Sequence, residues 1–474
     1  MRSALVDDLV AALDKGRVRV SSLELDLYSR DASILSGRAE VVCFPLTTEE
    51  VQACVRVCRA HDIPFVPRGS GTGLAGGAVP VDGPVVIVTT KMTRILEVDA
   101  DERVAWVEPG VLNLDLTRAV AHLGLHYAPD PSSQQSCTIG GNVATNSGGP
   151  HCLLYGVTSA HVLAIEVVLP DGSLAMLGGL DPEPSGYDLR GAFVGSEGTM
   201  GIATRIAVRL TPTPPSVRTL LLDFTSIGDA AATVSAIIAA GIVPAALEMM
   251  DARITQAVED YVHAGFPRDA DAVLLVEVDG LPAGVAAAAD RVAEIGRAHG
   301  ARSVRVAADE AERALLWKGR KSAFGAIARL APNYYLHDAV VPRTRLVDVL
   351  TKVYEIGARY DLMMMNVFHA GDGNLHPLIV FDRRRDPDIL ERVVAAGDEI
   401  IRACLDAGGV LSGEHGIGLE KRDFMPLLFG TFDLDAQARL RDVFDPDGFA
   451  NPTKVLPAGS KCGDLQRIPE GAWI

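Results

Sequence analysis

The chain has 474 residues, more than one hydrophobic core usually supports, so two or three packed domains are expected. Its 44 Lys and Arg residues against 61 Asp and Glu residues give a net charge of −17, which repels phosphate backbones and argues against nucleic acid as a partner. The seven cysteines are odd in number and contain no C-x-x-C pair, which argues against a disulfide framework or a thiolate zinc site and indicates a reducing, cytoplasmic setting.

The N-terminal residues predict an amphipathic helix and no signal peptide. Leu5, Leu9 and Leu13 recur at helical spacing, and acidic residues such as Asp7 interrupt the apolar ones. The longest uncharged run, residues 230–247, is Ala-rich and broken by glycine and proline. It predicts a buried core helix with its exit turn, and no transmembrane segment is expected.

From residue 40 onward, short β-branched runs alternate with helix-length amphipathic stretches, as is typical of an α/β or α+β domain. We predict a helix over residues 49–61 and strands over residues 63–66 and 85–90. The proline-rich residues 211–215 predict a linker, because this segment cannot continue a helix or a central strand.

Beyond this linker, strand and helix patterns alternate again. Strands are predicted over residues 220–224 and 273–279, and a helix over residues 281–299. This order predicts a second sheet covered by helices.

The first glycine-rich loop, residues 68–77, has five glycines within nine residues and directly follows a predicted strand. It matches G-x-G-x-x-G at Gly71, Gly73 and Gly76, but a dinucleotide fingerprint must open a helix that holds the pyrophosphate. Here Pro80 and a further strand follow, so no helix can begin. The alternative is a nest of backbone N–H groups that wraps a diphosphate, since a plain turn does not need so many glycines.

Two more loops combine glycines with small polar side chains. Residues 131–149 carry hydroxyl and amide groups suited to a flat polar ring and its ribityl chain, and residues 195–202 end the same domain. Three such loops in one domain are together a specific signal.

These loops resemble those of the vanillyl-alcohol-oxidase/PCMH family of FAD-binding domains. The resemblance implies that the first loop holds the pyrophosphate, the second lies along the isoalloxazine and ribityl chain, and the third approaches the adenosine. The first loop has no His or Cys that could anchor the flavin, so non-covalent FAD is expected, although Cys137 and His151 lie near the second loop. The expected cofactor contacts are Arg68, Gly69, Ser70, Gly71, Thr72, Gly73, Pro131, Ser132, Ser133, Thr138, Gly140, Gly141, Asn142, Thr145, Ser147, Gly148, Glu197, Gly198, Gly201, Ile202 and Asn451.

Histidines recur in a glycine-rich segment further on. Residues 366–377 place His369 and His376 seven positions apart across a glycine turn, so a tight turn would let both rings face one point. Asp372, within that turn, is expected to form the turn or support a ligand, because Asp before Gly is ordinary turn chemistry.

A second segment, residues 409–418, brings Glu414 and His415 between glycines. Two His and one Glu make the three-ligand set of an open catalytic Zn²⁺ or Mn²⁺ site. A single histidine here would be an ordinary capped loop residue, but three with a Glu in two such segments favour a functional site.

These segments resemble the family branch with an FAD-linked oxidase C-terminal domain: glycolate oxidase subunits, D-lactate dehydrogenases and D-2-hydroxyglutarate dehydrogenases. The similarity covers nearly the whole chain and is greatest to the FAD-linked glycolate oxidase subunits. It implies that His369, His376 and Glu414 bind the metal and that His415 is the base. It also implies that Arg320 grips the substrate carboxylate, for which an Arg fork is suited.

The expected reaction is metal-assisted oxidation of a small D-2-hydroxy acid, with glycolate and D-lactate the leading substrates. Where relatives that take a dicarboxylate carry polar pocket residues, this chain is expected to place Phe324, Leu336 and Leu378, which argues for a monocarboxylate. D-2-hydroxyglutarate oxidation is the alternative. A metal-dependent hydrolase with structural glycine loops, and a non-catalytic FAD subunit that relays electrons, are rivals from other classes.

The fold implied by the resemblance is α+β. An N-terminal helical segment (residues 1–39) and a two-subdomain PCMH-type FAD-binding domain (40–214) are expected before an α/β substrate and metal domain (215–457), whose C-terminal segment returns to the FAD domain, and a tail (458–474). Glycolate-oxidising relatives further imply a second flavin-type subunit and an iron–sulfur subunit as partners. Through them a cytoplasmic enzyme would lie peripherally at the inner face of the cell membrane.

Overall fold

The structure is a computed structural model that describes residues 4–181 and 186–457. It divides into two units. The first contains the described parts of residues 1–148, 157–213 and 414–474, and the second contains residues 149–156 and 214–413. The expected tail, residues 458–474, lies outside the described residues.

Strands and helices alternate along most of the described chain. The strands are β1 (Val18–Arg19), β2 (Val41–Cys43), β3 (Phe65–Arg68), β4 (Val85–Val88), β5 (Ile95–Asp99), β6 (Val104–Val107), β7 (Leu125–His126), β8 (Val162–Val168), β9 (Leu174–Gly178), β10 (Ile202–Arg209), β11 (Thr211–Pro212), β12 (Ser216–Phe224), β13 (Ala246–Asp251), β14 (Ala272–Gly280), β15 (Ser303–Val306), β16 (Asn333–Leu336), β17 (Ala339–Val340), β18 (Met363–His369), β19 (Asn374–Leu375) and β20 (Pro377–Phe381). The α-helices are α1 (Ala4–Leu13), α2 (Ser22–Leu27), α3 (Thr48–Ala60), α4 (Asn113–Val120), α5 (Ile139–Thr145), α6 (Cys152–Tyr155), α7 (Leu189–Phe193), α8 (Ile227–Ala239), α9 (Ala252–Val262), α10 (Pro282–Ala298), α11 (Glu310–Lys321), α12 (Ala323–Ile327), α13 (Leu346–Arg359), α14 (Ile389–Asp406), α15 (Met425–Leu428) and α16 (Thr431–Phe444).

The first sheet of the first unit has the strand order β1-β2-β4-β3, with β4 parallel to both β2 and β3. The predicted N-terminal helix is confirmed as α1, and its Leu5, Leu9 and Leu13 are buried. They join a core that also contains residues of α3 and of this sheet. This packing fixes the end of β3, where the first glycine loop begins.

The second sheet of the first unit is antiparallel, with the order β5-β6-β10-β8-β9. Its core also takes in Leu116 of α4 and Ile139 of α5. The first unit therefore has two larger sheets, beside a two-stranded sheet of β7 and β11, and the larger ones suit the two subdomains expected of a PCMH-type domain. The α+β class, with a C-terminal segment that belongs to the first unit, is confirmed.

The second unit is built on a nine-stranded sheet, in which β15-β12-β14-β13-β18-β19-β17 run side by side and β20 joins β16 to β18. Its neighbouring strands pair antiparallel, and α8 and α10 pack on β12 and β14. Every residue of β13 is buried, although the strand contains Glu248 and Asp251. The buried carboxylate of Glu248 takes part in the candidate site.

Three sequence expectations differ from the structure. The strand predicted over residues 63–66 begins instead at Phe65, directly after a proline that has no N–H for the ladder. The second glycine loop contains the helix α5, which begins because the Thr138 hydroxyl accepts a hydrogen bond from the Gly141 N–H. The Ala-rich helix ends at residue 239, and the run to residue 247 already enters β13.

In the described residues, no helix is both long and apolar enough to cross a membrane.

Candidate active site

The first glycine loop leaves β3 and reaches β4 without forming a helix, as predicted. Gly71 and Gly76 adopt φ values of 74° and 77°, which glycine tolerates at little cost. Within the described residues, no group accepts a hydrogen bond from the backbone N–H groups of residues 70–73. A run of N–H donors of this kind is a nest for an anion.

The side chain of Arg68 supports this loop from inside the protein. Its guanidinium donates hydrogen bonds to the carbonyls of Arg30, at 2.7 Å, and Ala78, at 3.2 Å. Burial lowers the pKa of Arg68, and its guanidinium lies 5.5 Å from the ring centroid of Tyr28. The first loop is therefore held by the one charged side chain among its predicted cofactor contacts.

Gly71→Ala should weaken FAD binding at this loop. A Cβ atom at Gly71 would lie 2.1 Å from Arg68 Nη2, and the backbone there has a positive φ. We expect the dissociation constant for FAD to rise about tenfold or more, because backbone strain of about 1–3 kcal/mol at residue 71 would disfavour the loop conformation that binds FAD. Fluorescence titration of the deflavinated protein with FAD measures this. Gly83→Ala is the matched control, because Gly83 has a φ of 70° but no atom within 4 Å of the place where its Cβ would lie; equal affinities in the two variants would contradict the prediction.

The second loop contacts the first within the same unit. A Cβ atom on Gly69 would lie 2.6 Å from Thr138 Oγ1, and the Ser70 hydroxyl donates to the carbonyl of Ser136. Gly140 is required for a different reason, because its Cβ would lie 2.6 Å from Pro109 Cβ. The absence of side chains at Gly69 and Gly140 thus permits close packing against Thr138 and Pro109, respectively.

Several predicted contacts of the second loop are engaged inside the unit. The Asn142 amide accepts from Asn113 at 3.0 Å and donates to Cys137 Sγ at 3.4 Å. The hydroxyls of Ser147 and Thr158 lie 3.3 Å apart, and Thr145 donates to the carbonyl of Gly141. Pro131 and Gly148 are buried, whereas Ser132 is exposed and Ser133 is half-buried.

The two candidates for covalent flavin attachment both have other partners. Cys137 is buried, and burial raises the pKa of its thiol. His151 belongs to the second unit, where its Nε2 lies 3.2 Å from Glu277 Oε1 and its ring centroid lies 5.1 Å from that of Trp317. These contacts favour non-covalent FAD, which stays a prediction.

The third loop is tied to the C-terminal segment of the first unit. Glu197 Oε1 accepts hydrogen bonds from the N–H groups of Ile417, at 2.6 Å, and Gly418, at 3.1 Å. The Asn451 amide donates to the carbonyls of Gly77, at 2.9 Å, and Glu197, at 2.7 Å. Both side chains, predicted as cofactor contacts, thus join loops to one another. In the same loop, Gly198 has a φ of 75°. A Cβ atom on Gly201, the residue before Ile202, would lie 2.7 Å from the carbonyl oxygen of Val168.

The predicted turn between the two histidines is present in the second unit. β18 ends at His369, which pairs with Asn374 of β19 across the turn, and the N–H of Asp372 donates to the carbonyl of His369. The rings of His369 and His376 are buried and nearly perpendicular, with centroids 5.1 Å apart. This arrangement offers two imidazole donors close together.

Glu248 of β13 lies behind His369. Its Oε1 is 2.7 Å from His369 Nδ1, and its Oε2 forms an ion pair with Arg320 of α11. All three side chains are buried. Burial alone would raise the pKa of Glu248, but the positive charge of Arg320 and the hydrogen bond with His369 outweigh it and hold the pKa below its ordinary value. The guanidinium predicted to grip a substrate is thus already bonded on one edge, and its Nε has no hydrogen-bond partner among the described residues.

Asp338 links His376 to the end of the second unit. Its Oδ1 lies 3.9 Å from His376 Nδ1, and its Oδ2 accepts hydrogen bonds from Ser412 Oγ, at 2.6 Å, and the Gly413 N–H, at 3.0 Å. A Cβ on Gly413 would lie 2.4 Å from Asn374 Nδ2, so this segment packs against the histidine hairpin.

Glu414 and His415 follow Gly413 in the chain and are grouped with the first unit. Both are half-buried, and Glu414 Oε1 lies 3.9 Å from His415 Nε2. Leu336 and Leu378, expected in the substrate pocket, pair with each other across β16 and β20 and are buried. The ring centroid of Phe324, on α12, lies 5.8 Å from that of Tyr334.

Comparisons with known proteins assign this chain to a family. The family described as FAD linked oxidases, C-terminal domain, matches residues 213–455, and the one described as FAD binding domain matches residues 39–178. The chain belongs to the FAD-linked oxidases. The family match makes it an FAD-dependent oxidoreductase, and the match over residues 39–178 favours this activity over the metal hydrolase.

The relatives of this FAD-linked oxidase include glycolate oxidase subunit GlcD of Escherichia coli (strain K12), which is 45% identical over 428 residues, covering 90% of this chain and 86% of that one. GlcD of Bacillus subtilis (strain 168) is 42% identical, with 91% and 92% covered. D-lactate dehydrogenase of Anaerostipes hadrus is 34% identical, with 90% and 92% covered. A solved p-cresol methylhydroxylase shares the fold with a TM-score of 0.83 at 18% identity, over 96% of this chain and 97% of that one.

The residues of the first unit fit FAD. The loop at residues 70–73 offers backbone N–H groups for a diphosphate, since no group of the described residues accepts a hydrogen bond from them. When bound, FAD supplies the two-electron acceptor that no side chain provides. The contacts of individual residues with it stay predictions.

The buried Glu197 should make the stability of this oxidase depend on pH. Burial raises the pKa of Glu197 to about 7, from an ordinary value of 4.5. Because the folded state binds this proton more tightly, the stability it contributes is fully present below the unfolded pKa and is lost as the pH rises through about 7. Glu197→Gln removes this loss and keeps an oxygen acceptor. The free energy of unfolding of this variant, minus that of wild type, should rise by up to about 3 kcal/mol between about pH 4 and pH 8. Thermal unfolding at several pH values measures this difference. A difference that is constant with pH would contradict this assignment.

Sequence reasoning missed Glu248 and Asp338. Glu248 lies in a strand whose six residues are all buried, and Asp338 lies between the buried residues His337 and Ala339. A carboxylate inside an apolar run was the available signal, since buried carboxylates need a charged or hydrogen-bonding partner.

Proposed function

We propose that this oxidase converts a small D-2-hydroxy acid, glycolate or D-lactate, into the corresponding 2-oxo acid with the assistance of a divalent metal. The observation that carries the proposal is the buried pair His369 and His376, with Glu248 and Arg320 behind it, in a chain similar over most of its length to glycolate oxidase subunits and a D-lactate dehydrogenase.

The proposed metal ligands are His369, His376 and Glu414. Two imidazoles and a carboxylate suit Zn²⁺ or Mn²⁺. The position of Glu414 is supported from within the second unit, because the preceding residue, Gly413, packs against the hairpin and is bonded to Asp338. When bound, the metal lowers the pKa of the substrate hydroxyl and stabilises the alkoxide that develops.

His415 is the proposed base that removes the hydroxyl proton. It directly follows Glu414, so a substrate hydroxyl on the metal would lie close to its ring. Loss of that proton makes the neighbouring carbon electron-rich, which would favour transfer of its hydride to FAD as the two-electron acceptor. Proton and hydride thus leave from adjacent atoms of one substrate.

Arg320 is proposed to bind the substrate carboxylate. The guanidinium has five N–H donors, Glu248 pairs with Nη2, and Nε has no hydrogen-bond partner among the described residues, so a donor remains for a carboxylate. Burial of this pair strengthens such a contact because little water competes for it.

A monocarboxylate is proposed because Leu336 and Leu378 are apolar core residues with no polar group to offer a second carboxylate. D-2-hydroxyglutarate oxidation stays the alternative. Steady-state assays with an artificial electron acceptor should give a higher kcat/KM for glycolate or D-lactate than for D-2-hydroxyglutarate and L-lactate. A preference for the dicarboxylate would overturn the substrate assignment.

Partner subunits are proposed on the basis of the relatives, since two of them are named as glycolate oxidase subunits. A second flavin-type subunit and an iron–sulfur subunit would carry electrons away from this oxidase and hold it at the inner face of the cell membrane. Co-purification of a tagged chain from its own cells tests this, and a chain that purifies alone with full acceptor-linked turnover would argue against it.

A further inference from the structure

We infer that Glu248 is a positioning residue that holds both the metal ligand His369 and the substrate-binding Arg320, and so sets the metal affinity of the site. The inference rests on the proposed function, because it concerns the same metal. Glu248 is assigned no contact with substrate or metal; it acts through its two partners.

The first step concerns the tautomer of His369. An imidazole that ligates a metal through one nitrogen carries its proton on the other, and an acceptor at that second nitrogen fixes the tautomer and the ring orientation. Glu248 Oε1 is 2.7 Å from His369 Nδ1, within hydrogen-bonding distance. With the proton held on Nδ1, Nε2 is the nitrogen that takes the metal.

The second step concerns the charge of Glu248. A carboxylate that is 1% exposed would be costly to keep ionised without a cationic partner. Arg320, itself 2% exposed, provides that partner at Oε2. The ionised carboxylate is a stronger acceptor for the His369 N–H and makes the ring a better donor to a metal.

The third step concerns geometry. Glu248 comes from β13, His369 from the neighbouring strand β18, and Arg320 from α11, and the register places Glu248 directly opposite His369. One carboxylate thus contacts both the metal ligand, on the neighbouring strand of the sheet, and the Arg, on α11. Substrate carboxylate and metal would be held at a constant separation, as chelation of a 2-hydroxy acid requires.

The test is Glu248→Gln in the FAD-loaded protein. The amide keeps the size of the side chain but loses the charge, so the dissociation constant for Zn²⁺ or Mn²⁺, measured by competition with a chromogenic chelator, should rise about 10- to 100-fold. The d–d bands of Co²⁺-loaded protein should change shape as the His369 ligand loosens. Neither readout depends on turnover.

Glu277→Gln is the matched control. Glu277 is a buried carboxylate of the adjacent strand β14, paired with Arg313, and belongs to no part of the proposed site. It should lose thermal stability but keep wild-type metal affinity. If Glu248→Gln does not fold, Glu248→Leu combined with Arg320→Leu removes both buried charges together, and the same affinity loss is expected.

Each outcome separates the inference from the function on which it rests. A Glu248→Gln protein that binds the metal within about twofold of wild type overturns the inference and leaves the metal site standing. Equal weakening in Glu277→Gln also overturns it, because the effect would then be one of general stability. A wild-type protein that binds neither Zn²⁺ nor Mn²⁺ overturns the metal site and this inference with it.

Discussion

We expect His415→Asn to lower the rate of flavin reduction by glycolate or D-lactate about 10²- to 10⁴-fold, the usual contribution of a general base. Asn keeps a polar side chain of similar reach but cannot take up the hydroxyl proton. FAD content and metal content should be unchanged, because His415 is proposed to hold neither. Anaerobic stopped-flow spectroscopy measures the reduction rate directly.

His263→Asn is the control for this substitution. His263 is exposed and ends α9 with a φ of 56°, a conformation that Asn adopts readily, and it has no part in the proposed chemistry. This variant should reduce at the wild-type rate. If His415→Asn also reduces its flavin at the wild-type rate, His415 is not the base. A loss of rate accompanied by loss of metal would instead make His415 a ligand.

We expect His376→Asn to abolish stable metal binding and to lower flavin reduction at least about 100-fold. Lewis-acid stabilisation of a developing alkoxide is worth several kcal/mol, and each step of about 1.4 kcal/mol corresponds to a factor of ten. Metal analysis of the purified variant and its reduction rate with saturating substrate are the two measurements. The FAD content of the variant should remain that of wild type, since His376 is not among the predicted cofactor contacts.

Removal of the metal from wild type provides the matched experiment. Dialysis against a chelator should reproduce the slow reduction of His376→Asn, and Zn²⁺ or Mn²⁺ should restore the rate in wild type but not in the variant. If the chelated wild type, shown by analysis to hold no metal, keeps its full rate, the metal has no catalytic role. The histidine pair would then serve the fold.

The glycine loops could be predicted from sequence because their chemistry is local. The backbone has positive φ at Gly71 and Gly76, and such positions are usually glycines, which can be seen directly in the sequence. α5 could not be predicted in the same way, because Gly140 and Gly141 are poor helix formers. The helix forms since Thr138 caps it and the core around Ile139 buries it, and these tertiary effects outweigh local propensity.

The histidine hairpin was also predictable, since seven residues and a glycine turn bring His369 and His376 together. The contact of Glu248 with His369 was not, because 121 residues separate them in the chain and only the pairing of β13 with β18 joins them. The return of the C-terminal segment was expected from the family resemblance, and the described residues from 414 onward are grouped with the first unit.

The central claim, that the chain is a metal-assisted FAD enzyme for small D-2-hydroxy acids, is tested most directly by an anaerobic visible spectrum of the purified protein. Glycolate, D-lactate, L-lactate and D-2-hydroxyglutarate are added in turn, with and without a chelator. We predict a yellow protein that is bleached by glycolate or D-lactate and protected from bleaching by the chelator. A flavin that none of these acids reduces, in protein shown to contain metal, would contradict the claim.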